Sequence, residues 1–288
     1  MKLKFDSNLK YQLEAIQGVT DLFEGLPRNR EGFETKTSIE ITAGFMKYYD
    51  LGIGNNMLLS DDRLLKNLHA VQFRNQVPKS RTLIEEGSSY TFPNFSVEME
   101  TGTGKTYVYL RTIFELNKLY DFKKFIIVVP SVAIREGVTT SIKLMKEHFK
   151  GLYDNVAFDD FVYQSKDLSR VRQFAVNNEV QIMVINIQAF QKDAGESVDY
   201  ATLTDEQRKK LNIIHQEQDK MLGRRPIEYV QATSPILIID EPQSVDNTPK
   251  SQKAISNLNP LFALRYSATH TNPHNLLYQL DPIRAYDM

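Results

Sequence analysis

The stretch METGTGKTYVYL, residues 99–110, sets two glycines, three threonines and a lysine in an order that suits phosphate chemistry. The phosphate-cradling pattern is G-x-x-x-x-G-K-[ST], and Gly104, Lys105 and Thr106 supply its second half. Met99 stands at the first glycine position. That departure costs little physically, because the position closes the preceding strand and need not face a phosphate. Thr101, Gly102, Thr103 and Gly104 would turn backbone N–H groups inward at a helix N-terminus, whose positive dipole end favours an anion. Lys105 would then reach the outer phosphates and Thr106 would ligate Mg²⁺. The plain alternative is a glycine turn that caps a helix beside a solvent-exposed lysine.

A complete site of this type needs an acidic residue at the end of a second core strand, to hold the cation's water shell. ILIIDEPQ, residues 236–243, provides one: Asp240 follows four aliphatic residues, and Glu241 is placed to polarise an attacking water as general base. Read alone, Asp-Glu-Pro is equally a strand-ending turn. YSATH at 266–270 offers Ser267 and Thr269, small hydroxyl residues able to hydrogen-bond toward the Asp240–Glu241 strand and so couple the site to a neighbouring element. On spacing alone this is as readily an ordinary Ser/Thr turn.

The elements that must position these groups are legible from periodicity. FSVEM at 95–99 alternates as a short strand, and KTYVYLRTIFELNKLY at 105–120 places Tyr109, Ile113, Leu116 and Tyr120 on one helix face. FIIVVP at 125–130, VQIMVINIQAF at 180–190 and PILIIDEPQ at 235–243 contain continuous β-branched runs, the mark of buried parallel strands. FALRYSAT at 262–269 is a weaker fourth. Alternation of such strands with helical segments implies an α/β fold, a mostly parallel sheet with helices on both faces. An amphipathic helix is expected over 8–24 and another over 61–77, capped by Asp61 or Asp62; residues 77–95 read as loop or exposed hairpin. A polar excursion at about 191–230, with a helix at about 204–221, is expected as an insertion between core strands.

Composition sets bounds. The 288 residues are 41% hydrophobic and 25% charged, with 35 Lys+Arg against 36 Asp+Glu and no cysteine. Disulfides, thiol chemistry and cysteine-built metal sites are excluded. A net charge of −1 neither suggests nor excludes a nucleic-acid partner, which would have to use a local groove. There is no apolar run of signal-peptide type at the start and none of membrane-spanning length, so a cytoplasmic protein with no membrane contact is expected.

TGTGKT, DEPQ and SAT, in this order on strand ends, resemble motifs I, II and III of superfamily-two helicases and translocases. The form DEPQ, the opening YQLEAIQGVTDLFEG and the closing SATHTNPHNLLYQLDPIRAYDM make the chain look like the ATPase lobe of the Res subunit of type III restriction–modification enzymes. The resemblance implies a P-loop, RecA-like lobe over 95–288, preceded by an N-terminal helical and irregular region over 1–94 that packs on it. It implies ATP as cofactor with Mg²⁺, and assigns Gln12 to the adenine, although read by itself Gln12 is an exposed helix glutamine. Ser131 and Arg135, in VPSVAIREGV at 129–138, match a segment that lines the DNA path, whereas their plain reading is a helix-start serine and a surface arginine. Double-stranded DNA and a Mod methyltransferase/specificity subunit are the implied partners. The resemblance also implies a second lobe and a nuclease domain, neither of which follows here. The expectation is therefore an N-terminal fragment with weak ATPase that does not cleave DNA alone. Two other readings stay open, a different superfamily-two DNA or RNA helicase and a non-catalytic ATP-binding switch.

Overall fold

A computed structural model describes residues 5–28, 35–42, 45–191, 202–269 and 273–280. Part of the polar excursion (192–201), His270 and the closing residues 281–288 lie outside them. In chain order the structure has α1 (Lys10–Thr20), β1 (Thr35–Thr42), β2 (Phe45–Ile53), α2 (Asp61–Arg74), β3 (Asn94–Met99), α3 (Lys105–Tyr120), β4 (Lys124–Val129), α4 (Val132–Leu152), β5 (Phe158–Val162), α5 (Leu168–Val176) and β6 (Val180–Asn186). There follow α6 (Asp205–Lys209), α7 (Pro226–Ala232), β7 (Ile236–Asp240), α8 (Pro242–Val245), α9 (Pro249–Ser256), β8 (Phe262–Ser267) and β9 (Leu276–Leu280).

Seven strands form one sheet in the order β5-β6-β4-β7-β8-β3-β9, and every pairing in it is parallel. The α/β architecture expected from the sequence is therefore present, as a wholly parallel sheet among the described residues. Parallel strands are covered on both faces, and the period-2 alternation sorts their side chains accordingly. Val97, Ile127, Ile238 and Leu264 join one core with α1, α2, α3 and α4. Ile126, Val128, Ile239 and Ala263 join the other with α5, α7 and α9. Because all strands point the same way, the residues after β3, β4, β7 and β8 gather at one edge, where a ligand site in an open α/β sheet is expected.

Several expectations need correction. Ser60 caps α2, its side chain accepting from the Arg63 amide, so Asp61 and Asp62 lie inside the first turn. The helix expected at 204–221 is only α6, because the apolar residues that follow turn inward through short 3-10 turns, where Ile214, His215 and Met221 are buried. The strand expected within 180–190 is β6, which ends at Asn186, whose side chain accepts from the Gln188 amide and starts a 3-10 turn. Of the two readings of 77–95, the loop holds over 77–93, and Asn94 and Phe95 already belong to β3. The N-terminal region is more than helix and loop, since β1 and β2 pair as an antiparallel hairpin. Its base is seated tightly: a Cβ on Gly52 would lie 2.6 Å from the Ala175 carbonyl oxygen, and Gly52 has φ +135°.

Candidate nucleotide-binding site

β3 ends at Met99, and the chain then folds through Gly102 (φ +83°) and Gly104 (φ +86°) into α3. Both backbone conformations favour glycine. The loop is braced internally: the Thr103 hydroxyl donates to the Glu100 carbonyl (2.6 Å), and the Thr101 amide donates to the Glu100 side chain (2.9 Å). Gly104 caps α3 and no acidic residue stands in the first turn, so the free amides of that turn face a region without opposing carboxylates of their own helix. The turn bears on a cavity of about 650 Å³, lined by Phe5, Leu9, Gln12, Tyr107, Asp240 and Glu241 as well as the loop. A small-molecule site typically occupies ~300–1,000 Å³.

Three strand ends meet there. Lys105, at the start of α3, forms an ion pair with Glu241 after β7. Ser267, at the end of β8, donates its hydroxyl to Glu241 Oε2 (2.9 Å), and Gln243 donates to the same oxygen (2.7 Å). Burial would lift the Glu241 carboxyl, but hydrogen bonds from Lys105 and Gln243, the Lys105 charge and the Ser267 hydroxyl bring it below its usual range. Glu241 is thus held as a carboxylate. It sits at φ +54°, a strained conformation for a side-chain-bearing residue, with its amide donating to the Tyr266 carbonyl (2.9 Å).

Asp240 is the opposite case. Burial raises its pKa to about 6; Lys105 pulls it down, Glu241 pushes it up, and the Tyr109 hydroxyl pulls it down. That hydroxyl donates weakly to Oδ2 (3.5 Å). Oδ1 is buried and has no hydrogen-bond partner. An orphaned carboxylate oxygen beside a glycine cradle fits a divalent cation that also touches phosphate. Among the described residues no cluster of three or more acidic or histidine side chains could hold a metal. A cation here would rest on Asp240 and Thr106, with phosphate and water completing its shell, as Mg²⁺ prefers.

The other expected site residues fall less simply. Gln12 is buried on α1 and lines the cavity, but its amide donates to the Thr103 carbonyl (2.9 Å), bracing the phosphate loop itself. Thr269 meets Ser267 through its main chain: its amide donates to the Ser267 hydroxyl oxygen (3.3 Å), and its carbonyl, 2.8 Å from that oxygen, is the alternative to Glu241 as acceptor of the one hydroxyl proton. Ser131 caps α4 by accepting from the Ile134 amide, and Arg135 pairs with Glu136 beside it (3.0 Å). Neither joins the cluster. Sequence reading missed Phe5, Tyr107 and Gln243. The two rings stack at 6.2 Å and form an aromatic wall of the cavity. Gln243 lay in view within DEPQ, two residues beyond Glu241. A larger groove of about 1120 Å³, between α5 and residues 211–221, contains none of these groups.

Residues 9–272 match the family described as type III restriction enzyme, res subunit. The chain is 26% identical over 295 residues to the EcoPI Res subunit of Escherichia phage P1, covering 98% of this chain and 28% of that protein. It is 30% identical over 239 residues to the EcoP15I Res subunit of Escherichia coli, covering 80% of this chain and 23% of that protein. The chain thus spans about a quarter of the length of these relatives. The UvsW helicase from bacteriophage T4 overlays 71% of this chain and 51% of its own at 12% identity and a TM-score of 0.32, too distant to argue from. No helix among the described residues is long and apolar enough to cross a membrane.

Proposed function

Because the chain belongs to the family of type III restriction enzyme Res subunits, we propose that it is the ATP-binding and ATP-hydrolysing motor lobe of such an enzyme, working on double-stranded DNA beside a Mod methyltransferase/specificity subunit. The observation that carries this reading is the convergence of Lys105, Asp240, Glu241 and Ser267 from three strand ends on one glycine-lined helix N-terminus. Bound there, ATP with Mg²⁺ supplies the phosphoanhydride bond to be broken. The loop residues Thr101 to Gly104 and the first-turn amides of α3 hold phosphate oxygens. Lys105 exchanges its bond to Glu241 for a phosphate oxygen. Asp240 and Thr106 would hold the cation. Glu241, kept ionised, orients the attacking water and takes its proton. Gln12 keeps the loop in shape, while Phe5 and Tyr107 offer a flat apolar surface to a base.

In our reading arginines from a second lobe complete the site in the whole enzyme, a contribution of about 10³–10⁵ in rate in comparable phosphoryl-transfer sites. DNA contacts, with Ser131 and Arg135 as candidates, would go to backbone phosphates and weaken with salt. Sequence recognition belongs to the Mod partner, and DNA cleavage to a nuclease domain elsewhere in the enzyme.

Thermal unfolding with Mg²⁺ and ATP or GTP tests the reading. Nucleotide at 100 times its Kd stabilises by about 2.7 kcal/mol, a shift of several degrees. The expected result is an ATP-selective shift in the wild-type chain that disappears in Lys105→Ala. A shift that survives in Lys105→Ala would remove the proposed site.

A further inference from the structure

The single turn α8 carries Glu241 at its N-terminal end and Asp246 at its C-terminal end. Both ends are held by one face of β8. Ser267 and Arg265 are two residues apart, so their side chains leave the strand on the same side. Ser267 bonds Glu241, and Arg265 forms an ion pair with Asp246. That second contact is deeply buried, with Asp246 7% and Arg265 4% exposed. The Tyr90 hydroxyl donates to the same Asp246 oxygen (2.5 Å), Arg265 donates to Asn94 Oδ1 (3.0 Å), and its guanidinium lies 5.5 Å from the centre of the Tyr90 ring. Around this cluster, His274 pairs with Glu85 (3.2 Å) and meets the edge of Tyr90.

A buried ion pair is weak evidence for stability, since its desolvation offsets much of its attraction; fixing a register is its better-attested use. Here a register does need fixing. Glu241 has a strained backbone at φ +54°, and such a conformation persists only where its surroundings over-determine it. We propose that Asp246 and Arg265, with Tyr90, are positioning residues for Glu241: they pin the far end of α8 to β8, so that the Glu241 carboxylate keeps its place against Lys105 and Ser267. The His274–Glu85 pair extends the same network to the segment leading into β9, tying the site to residues beyond the SAT motif. The inference rests on the reading of Glu241 as general base.

Two variants test it. Tyr90→Phe removes one hydroxyl from the cluster. The pair Asp246→Leu/Arg265→Met replaces the buried ions by apolar side chains, a change that folds tend to tolerate. Hydrogen exchange is followed at the amides of Glu241, Ser244 and Asp246, whose acceptors are the Tyr266, Glu241 and Pro242 carbonyls, and at Val128 in β4 as a reference. In the paired variant, protection at the three amides is expected to fall at least about tenfold while Val128 is unchanged. The Mg²⁺-ATP thermal shift persists, KM for ATP holds, and the single-turnover rate falls about 10- to 100-fold. Tyr90→Phe moves the same amides in the same direction by less, and decides the matter should the paired variant not fold. Unchanged protection at the three amides, or a fall shared equally by Val128, overturns the proposal. A wild-type chain that binds ATP without hydrolysing it would sink the enzymatic reading separately, and the exchange result would still decide the positioning role.

Discussion

Lys105 and Glu241, 136 positions apart in sequence, form an ion pair in the middle of the candidate site. One begins the helix after β3 and the other follows β7, so the pair records the meeting of two halves of the site. Their side chains are only 14% and 26% exposed, so desolvation offsets much of their attraction and the pair is weak evidence for stability. Function is where its loss should be felt.

Glu241→Gln removes the proposed base and releases Lys105 from its carboxylate partner. The expected outcome is an unchanged or larger ATP-dependent thermal shift with hydrolysis lowered by about 10²–10⁴. Parallel measurements of mant-ATP binding and phosphate release check it. Equal rates in wild type and variant would instead favour a nucleotide-holding switch.

Gly104→Ala meets two obstacles. Its φ of +86° costs a residue with a Cβ about 1–2 kcal/mol. The new Cβ would also lie 2.6 Å from Gln12 Nε2, so the Gln12 side chain must swing away and release the Thr103 carbonyl. We expect a lower Tm and a lost ATP response. Adding Gln12→Ala should relieve the steric part of the stability loss but not the backbone part, which a comparison of the three variants by calorimetry would read.

Asp240 holds a proton more tightly folded than unfolded, its pKa being raised by burial to about 6. Between about pH 4 and 6 the folded state binds more protons, so this group's contribution falls as pH rises and remains unfavourable at neutral pH. Asp240→Asn keeps the shape without the charge. It should raise the Tm in Mg²⁺-free buffer at pH 7 by a few degrees while abolishing the Mg²⁺-dependent part of the ATP response. A variant that loses both stability and response would assign Asp240 a structural role.

Lys124 opens β4 fully buried, its ammonium donating to the Phe174 carbonyl (2.6 Å) and to the Asn177 carbonyl at the end of α5. Burial, then the neighbouring Lys123 charge, lowers its pKa to about 7. The unfolded chain keeps that proton to about pH 10.4. Between these values the unfolded state binds more protons, so stability rises with pH. Relative to Lys124→Met, the wild type should gain about 2 kcal/mol from about pH 7 to pH 9. A constant difference in Tm across that range would mean an ordinary lysine pKa.

The sequence alone determined the local chemistry and its carriers. Gly102 and Gly104 mark left-handed backbone, and aliphatic runs ending in Asp240 and Ser267 mark buried strands with polar tips, because side-chain type and period act over a few residues. α3 was legible to its first and last residue. β5 and β9 were not: they lie at the sheet's two edges, where the apolar signal is diluted by residues such as Asp159, Asp160 and Gln279.

Only the tertiary structure decided who meets whom. No local rule pairs Arg265 with Asp246, turns Gln12 onto Thr103, or leaves Asp240 Oδ1 without a partner. Ser131 and Arg135, by contrast, make the local contacts of a helix cap and a neighbouring ion pair. The long-range meetings follow from strand order. The register that sets β7 between β4 and β8 also sets which side chains share one edge, and hydrogen bonds and burial then choose among them.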